Sequence, residues 1–193
     1  DIALIYSRKI EREMRRIELE KENQIIRNQL QELTITDTLT SLYNRRYFGK
    51  VCSDVFAQVN RDSTKATLAY IDIDNFKSIN DRFGHEGGDF VLKYFAEILL
   101  EHSRKGLDYV FRLGGEEFCV ISIDNTIEYA NEHMNRIMNI TSEKFLTTTF
   151  GEITLSIGIV EFDKNFASYD EILSLADKKM YMAKKSGKNT IVK

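Results

Sequence analysis

Hydrophobic residues along this chain recur with two different periods, and the change falls near residue 36. Before it the apolar positions are sparse and spaced by seven. Ile5, Leu19, Ile26 and Leu33 share a column with Arg12, and Ile2 and Leu30 end a neighbouring column whose middle is Lys9, Arg16 and Asn23. Residues 1–35 contain neither Gly nor Pro, so the pattern predicts one long helix. Ile10, Met14 and Ile17 fall off both columns, which predicts a coiled coil with a register shift near residue 17. Asn23 at a core-like position would fix that register and favour a dimer. The competing reading is a solitary solvated helix, but one with so thin a stripe is poorly stable alone.

From residue 37 the elements shorten and turn residues appear. Asp37-Thr38-Leu39-Thr40 reads as a cap and turn, and Asn44 as the cap of a helix to about Asn60, with Phe48, Cys52, Val55 and Val59 on one face. Residues 66–73 are an apolar run expected to be a strand buried on both faces. A short polar helix over 75–81 and an amphipathic helix over 87–103 follow. Residues 109–113 and 117–123 read as a hairpin turned at Gly114-Gly115, followed by a helix over 126–140. Alternation over 153–161 predicts a half-buried strand. Ser168-x-x-Glu171 is a capping box for a last helix ending at Gly187, and 189–192 an edge strand. This order predicts an α+β fold of the split β-α-β type, a mainly antiparallel central sheet with helices on one face, preceded by the long helix. The domain boundaries are set at 1–35 and 36–193.

Composition narrows the class. The chain has 193 residues, no proline and a formal net charge of −3. With 42% hydrophobic and 30% charged residues, disorder, collagen and disulfide scaffolds are excluded. The mild acidity argues against nucleic acid as a partner but not against a phosphate-bearing ligand. Cys52 and Cys119 lie far apart, as expected of reduced thiols in a cytoplasmic protein. Ile2 to Tyr6, followed by Arg8-Lys9, reads either as the end of a membrane helix with basic residues inside or as the start of a soluble one. The first residue is Asp rather than Met, so a preceding sensor or membrane segment is expected.

Four clusters carry candidate chemistry. Asp72-Ile73-Asp74 closes the buried strand, where carboxylates are costly unless a cation or donors meet them. Two carboxylates pointing one way, without histidine, suit Mg²⁺, while Asp74 is also expected to cap the next helix. Gly114-Gly115-Glu116-Glu117 combines a backbone open to close approach with two acids, of which a regular strand would turn only one toward Asp72. Lys184 and Lys188 flank the end of the last helix, as phosphate ligands or simply as partners of the helix dipole. Asn80 and Asp89 flank a glycine-rich turn and are either helix caps or a donor and acceptor pair for the two edges of guanine.

Read together, these motifs resemble the GGDEF family, the diguanylate cyclases. Gly114-Gly115-Glu116-Glu117-Phe118 resembles the family signature, Asp37 to Arg46 its entry motif, Asp72 to Asp89 its Asp-x-Asp-x-Phe-Lys stretch, and Ala176 to Asn189 its closing motif. The resemblance covers about residues 36–193. It implies a palm-like, nucleotide cyclase-like sheet and a dimeric enzyme that condenses two GTP into cyclic di-GMP. It implies that Asp72, the Ile73 carbonyl and Glu116 bind Mg²⁺ or Mn²⁺, and that Glu117 assists as ligand or base. Asn80 and Asp89 would read guanine. Phe76 and Lys77 would lie against substrate, Lys77, Lys184 and Lys188 would bind phosphates, and Gly114 and Gly115 would face the nucleotide.

Three positions depart from the family pattern. Lys188 stands where many members have Arg, which keeps the charge but loses the planar fork. Lys105-Gly106-Leu107-Asp108 occupies the window of the product-inhibition motif Arg-x-x-Asp, so feedback by cyclic di-GMP is expected to be weak or absent. Ser41, often Gly in the family, is expected to be harmless. The alternative function is a regulatory module that binds GTP or cyclic di-GMP without turnover; the intact acids argue against it. A structural protein or an ATP-specific cyclase fits less well, the first because of the buried acids and the second because of Asn80 and Asp89.

Overall fold

The computed structural model describes residues 2–33, 35–62 and 64–193, with side chains in the first helix described for Tyr6, Lys9, 11–23 and Ile26. The chain divides into two compact units, Asp1–Ile35 and Thr36–Lys193. The first is helix α1 (Ile2–Leu33). Arg16 pairs with Glu13 at 3.0 Å and Glu20 at 3.5 Å along its surface. Met14, Ile17, Leu19 and Ile26 are exposed on this single helix. The column ends Ile2, Ile5, Leu30 and Leu33 lie outside the described side chains, as does Ile10. No helix among the described residues is long and apolar enough to cross a membrane.

The second unit is a mixed sheet between two helical layers. Its elements are β1 (Tyr43–Asn44), α2 (Arg45–Asp62), β2 (Ala66–Ile73), α3 (Phe76–Glu101), β3 (Asp108–Gly114), β4 (Glu117–Ile123), α4 (Ile127–Leu146), β5 (Leu155–Glu161), α5 (Tyr169–Lys185) and β6 (Thr190–Val192). The strand order is β1-β3-β4-β2-β5-β6, antiparallel at the centre, with parallel pairs β1/β3 and β5/β6 at the edges. Central β2 is buried along its whole length, as its unbroken apolar run requires. Odd-numbered Ile71 and Ile73 join Phe95, Ile98, Met134 and Phe145 in a core under α3 and α4. Even-numbered Leu68 and Tyr70 join Phe48, Cys52, Ile172 and Met180 in a second core under α2 and α5. Helices therefore cover both faces of the sheet, not one.

The same arrangement accounts for other departures from the sequence reading. Strand β5 is buried on both sides, because α5 lies directly on Gly158. The two helices expected at 75–81 and 87–103 form one element, α3, kinked at Gly84, which adopts φ 72°. The helix expected to end at residue 140 continues to Leu146, burying Phe145. The two-residue β1 gives no sequence signal. The Ser168 hydroxyl makes no cap bond, and Glu171 accepts from the Ala167 amide at 2.9 Å, one residue before the cap, so the expected capping box does not form. Ser41 sits at φ 61°, a left-handed conformation that costs a non-glycine residue roughly 1 kcal/mol. That strain explains why glycine is favoured there and makes Ser41 less than neutral.

Candidate active site

The site forms where β2 ends and its antiparallel neighbour β4 begins, under the last turn of α5. Asp72 is 3% exposed and lies opposite Glu117 in the β2/β4 register. Both residues face the α2/α5 side of the sheet, so the pairing expected of Asp72 with one of the two glutamates falls to Glu117. Lys184 descends from α5 and places Nζ 2.7 Å from Asp72 Oδ2. The other oxygen, Oδ1, is buried without a hydrogen-bond partner. Burial pushes the Asp72 carboxyl up to about 6; Lys184 opposes this, and the charges of Glu116 and Glu117 add to it. Burial also raises the Tyr70 phenol, one turn of the pleat below, and Glu117 raises it further.

Asp74 has a different role from Asp72. It accepts from the Thr154 hydroxyl at 2.8 Å, the Ser156 hydroxyl at 2.7 Å and the Asn189 amide at 3.0 Å. Asp74 thus ties the end of β2 to β5 and to the start of β6, and it does not cap α3. The cap position is Asn75, at φ 57° and without a side-chain cap bond. Its side-chain oxygen is taken by Lys188 Nζ at 2.6 Å. Lys184 and Lys188 thus hold a carboxylate and an amide on the β2–α3 corner, with Lys77 exposed on the first turn of α3. Phe76 is buried beneath that corner at 8% exposure.

The hairpin between β3 and β4 carries a bulge between Arg112 and Gly114, so the two-residue turn is Gly115-Glu116 and Gly114 ends the strand. Gly114 and Gly115 adopt φ 145° and 53°, with open space in front of both. The Glu116 carbonyl accepts from the Ile73 amide at 3.3 Å, which draws the turn against the strand end bearing Asp72. Arg112 escaped the sequence reading. Its Nε and Nη2 donate to the Gly115 carbonyl at 3.1 and 2.9 Å, and its Nη1 reaches Asp37 Oδ1 at 3.0 Å. Asp37 also accepts from the Thr40 amide and hydroxyl at 2.9 and 2.7 Å. Burial pushes its pKa up, but Thr40 and Arg112 outweigh this and hold it below the ordinary value. The only sequence signal for Arg112 was an arginine two places before a Gly-Gly pair.

Asn80 and Asp89 lie on opposite sides of the α3 kink. Asn80 is half-buried, its side-chain oxygen pressed against Gly88, and Asp89 is exposed. At the far end of α3, Arg104 is joined to Asp108. Its Nη2 lies 2.8 Å from Asp108 Oδ1 and 3.0 Å from the Ile123 carbonyl, and its amide donates to Asp108 Oδ2 at 2.7 Å. The arginine one place out of register therefore still meets the aspartate, through an i,i+4 pair.

The donor set fits a hard divalent cation. It comprises carboxylates and a main-chain carbonyl, and one buried carboxylate oxygen lacks any donor. Among the described residues no three His, Cys, Asp or Glu side chains close on one point, and the Lys184 ammonium lies against Asp72.

A family model described as diguanylate cyclase, GGDEF domain, matches residues 34–190. Diguanylate cyclase DgcS of Shewanella oneidensis is 35% identical over 164 residues, covering 83% of this chain and 54% of its own length. Diguanylate cyclase DosC of Escherichia coli is 33% identical over 158 residues, covering 80% of this chain and 34% of its own. This chain thus spans about half or less of those relatives. The coiled coil and GGDEF domain of DgcB from Caulobacter crescentus, solved with c-di-GMP, superimposes with a TM-score of 0.77 at 28% identity, over 93% of this chain and 97% of that one. With its four motifs gathered at one end of the sheet and this match over most of its length, the chain belongs to the GGDEF family of diguanylate cyclase domains.

Proposed function

We propose that this chain condenses two GTP molecules into cyclic di-GMP, releasing two pyrophosphates, as the catalytic part of a bacterial signalling protein. The observation that carries this reading is the buried Asp72 beside Glu117, already met by Lys184 and flanked by Lys188. Such a site has acids to hold cations and lysines to hold a triphosphate.

Asp72, the Ile73 carbonyl and Glu116 would hold the divalent ion, Mg²⁺ with Mn²⁺ as a substitute. When bound, that ion neutralises phosphate charge and polarises the reacting phosphorus. Lys184, Lys188 and Lys77 bind the β- and γ-phosphates, and Gly114 and Gly115 leave room for the nucleotide against the hairpin. Asn80 donates to guanine O6 or N7, and Asp89 accepts from N1 and N2. Glu117 assists as a further ion ligand or as base for the 3′-hydroxyl. That hydroxyl attacks the α-phosphate of the second GTP, and the bond to its β-phosphate breaks.

Each domain holds one GTP, so two copies must face each other. The exposed Met14, Ile17, Leu19 and Ile26 on α1 support a coiled-coil dimer that raises the effective concentration of the half-sites. On this reading residues 1–35 are a signalling helix, residues 36–193 the cyclase domain, and the protein acts in the cytoplasm below a sensor. Purified protein given Mg²⁺ with GTP or ATP is expected to form cyclic di-GMP from GTP alone, and Glu117→Ala to form none. GTP binding without product would favour the regulatory module instead.

A further inference from the structure

Helix α3 carries Asn80 before its kink and Asp89 after it. At Gly84, with φ 72° and ψ 175°, the helical conformation is interrupted, so the angle between the two arms must be fixed by packing. The arms meet directly, Gly87 against Phe83 and Gly88 against Asn80 and Phe76, and Phe150, from the connection between α4 and β5, bridges them from outside. Its ring lies 4.8 Å from that of Phe83, on the first arm, and 5.3 Å from that of Phe90, on the second, nearly parallel to it at 12°. A side chain at Gly87, between the arms, would come within 3.3 Å of the Phe150 ring.

Phe150 is itself held firmly. Its amide donates to the Thr148 hydroxyl at 3.2 Å, and that hydroxyl donates to the Phe145 carbonyl at 2.7 Å, at the end of α4. Phe83 is three residues after Asn80, on the same side of its arm, and Phe90 directly follows Asp89. The ring thus touches both arms close to the residues assigned to guanine.

We propose that Phe150 is a positioning residue for base selection: wedged between Phe83 and Phe90, it sets the spacing of Asn80 and Asp89, and so the preference for guanine. The inference rests on the assignment of those two residues to guanine made above. Aromatic contacts of this kind contribute only modestly to stability, whereas a misplacement of about 1 Å weakens a directed hydrogen bond steeply.

The test compares binding of the α,β-methylene analogues of GTP and ITP, which cannot release pyrophosphate. ITP lacks the 2-amino group that Asp89 would accept from. Wild type is expected to prefer the guanosine analogue by about tenfold, the effect of one hydrogen bond to a charged group. Phe150→Ala is expected to weaken both analogues but the guanosine analogue more, because it alone loses the 2-amino contact, and so to lose most of that preference, with kcat at saturating GTP within about threefold of wild type. Phe150→Tyr, which keeps the ring, should restore the preference. Phe90→Ala removes the other side of the wedge from a position 48% exposed and is expected to give the same shift with the fold intact. Equal weakening of both analogues, or an unchanged preference in both alanine variants, would overturn the role of Phe150 while leaving the guanine assignment standing. A wild type that binds both analogues alike would overturn the guanine assignment and this inference with it.

Discussion

Gly158→Ala adds one methyl group to β5, beneath α5. The new Cβ would meet the Ala176 carbonyl oxygen and the Met180 amide nitrogen, and would lie 2.9 Å from Lys179 Cβ. Two of these three obstacles are helix backbone, which has no rotamer to escape into. Comfortable carbon contacts are about 3.5–4.0 Å, so α5 must withdraw by about 1 Å or β5 must bend. Withdrawal loosens Ile172, Ala176 and Met180 in the second core. Overpacking costs about 1–3 kcal/mol, and the rigid neighbours place this change near 3 kcal/mol. Because α5 also carries Lys184, its 2.7 Å contact with Asp72 lengthens as well. Urea unfolding followed by circular dichroism reads the loss as a lower midpoint at unchanged slope. Gly49→Ala is the control: its nearest new contact is the Tyr169 hydroxyl at 3.9 Å, so in α2 it should stabilise by about 0.5–1 kcal/mol. The reasoning fails if Gly158→Ala costs less than about 1 kcal/mol, or if the two variants shift in the same direction.

Other consequences can be measured with the same purified protein. Arg112→Ala removes charged hydrogen bonds from an arginine side chain only 11% exposed and is expected to cost about 3 kcal/mol, with Arg112→Lys recovering little of the bidentate contact; a loss under about 1 kcal/mol in chemical unfolding would count against the tie between entry turn and hairpin. His133 is held neutral by burial, although its bond to the His102 carbonyl at 2.8 Å offsets part of this, so its folded pKa lies below 6.5. Between that folded value and pH 6.5 the unfolded chain binds more protons, so this contribution is fully present above pH 6.5 and is lost as pH falls toward the folded value. His133→Gln should flatten the stability profile over that window, and an unchanged slope would show the assignment to be wrong. Because Arg104 is engaged by Asp108 and the Ile123 carbonyl, cyclic di-GMP should bind weakly away from the active site; calorimetry of Glu117→Ala that finds such a site below about 1 µM would refute this.

The local sequence was a good guide wherever one segment decides its own structure. Alternation and apolar runs located β2, β4 and β5, and Asn44 does cap α2, accepting from the Tyr47 amide at 3.0 Å. Motif spacing brought Asp72, Glu117, Lys184 and Lys188 into one reading, and the fold gathers them at one end of the sheet. At the site the errors share a cause: each depended on a partner far along the chain. Asp72 and Asp74 look alike in sequence, yet Thr154, Ser156 and Asn189 satisfy only the second. Arg112 is an ordinary strand residue until Asp37, 75 positions away, comes within reach.

The sequence by itself determined most of the longer helices and strands, the family, and the candidate acids and lysines, because period, turn chemistry and motif spacing are local properties. Only the tertiary structure decided that helices lie on both faces of the sheet, that Asp72 keeps an oxygen free while Asp74 does not, and that Phe150 braces the kink in α3. Cross-strand register and helix docking juxtapose residues 80 or more positions apart, as with Thr154 and Asp74. No local period encodes which of those partners will meet.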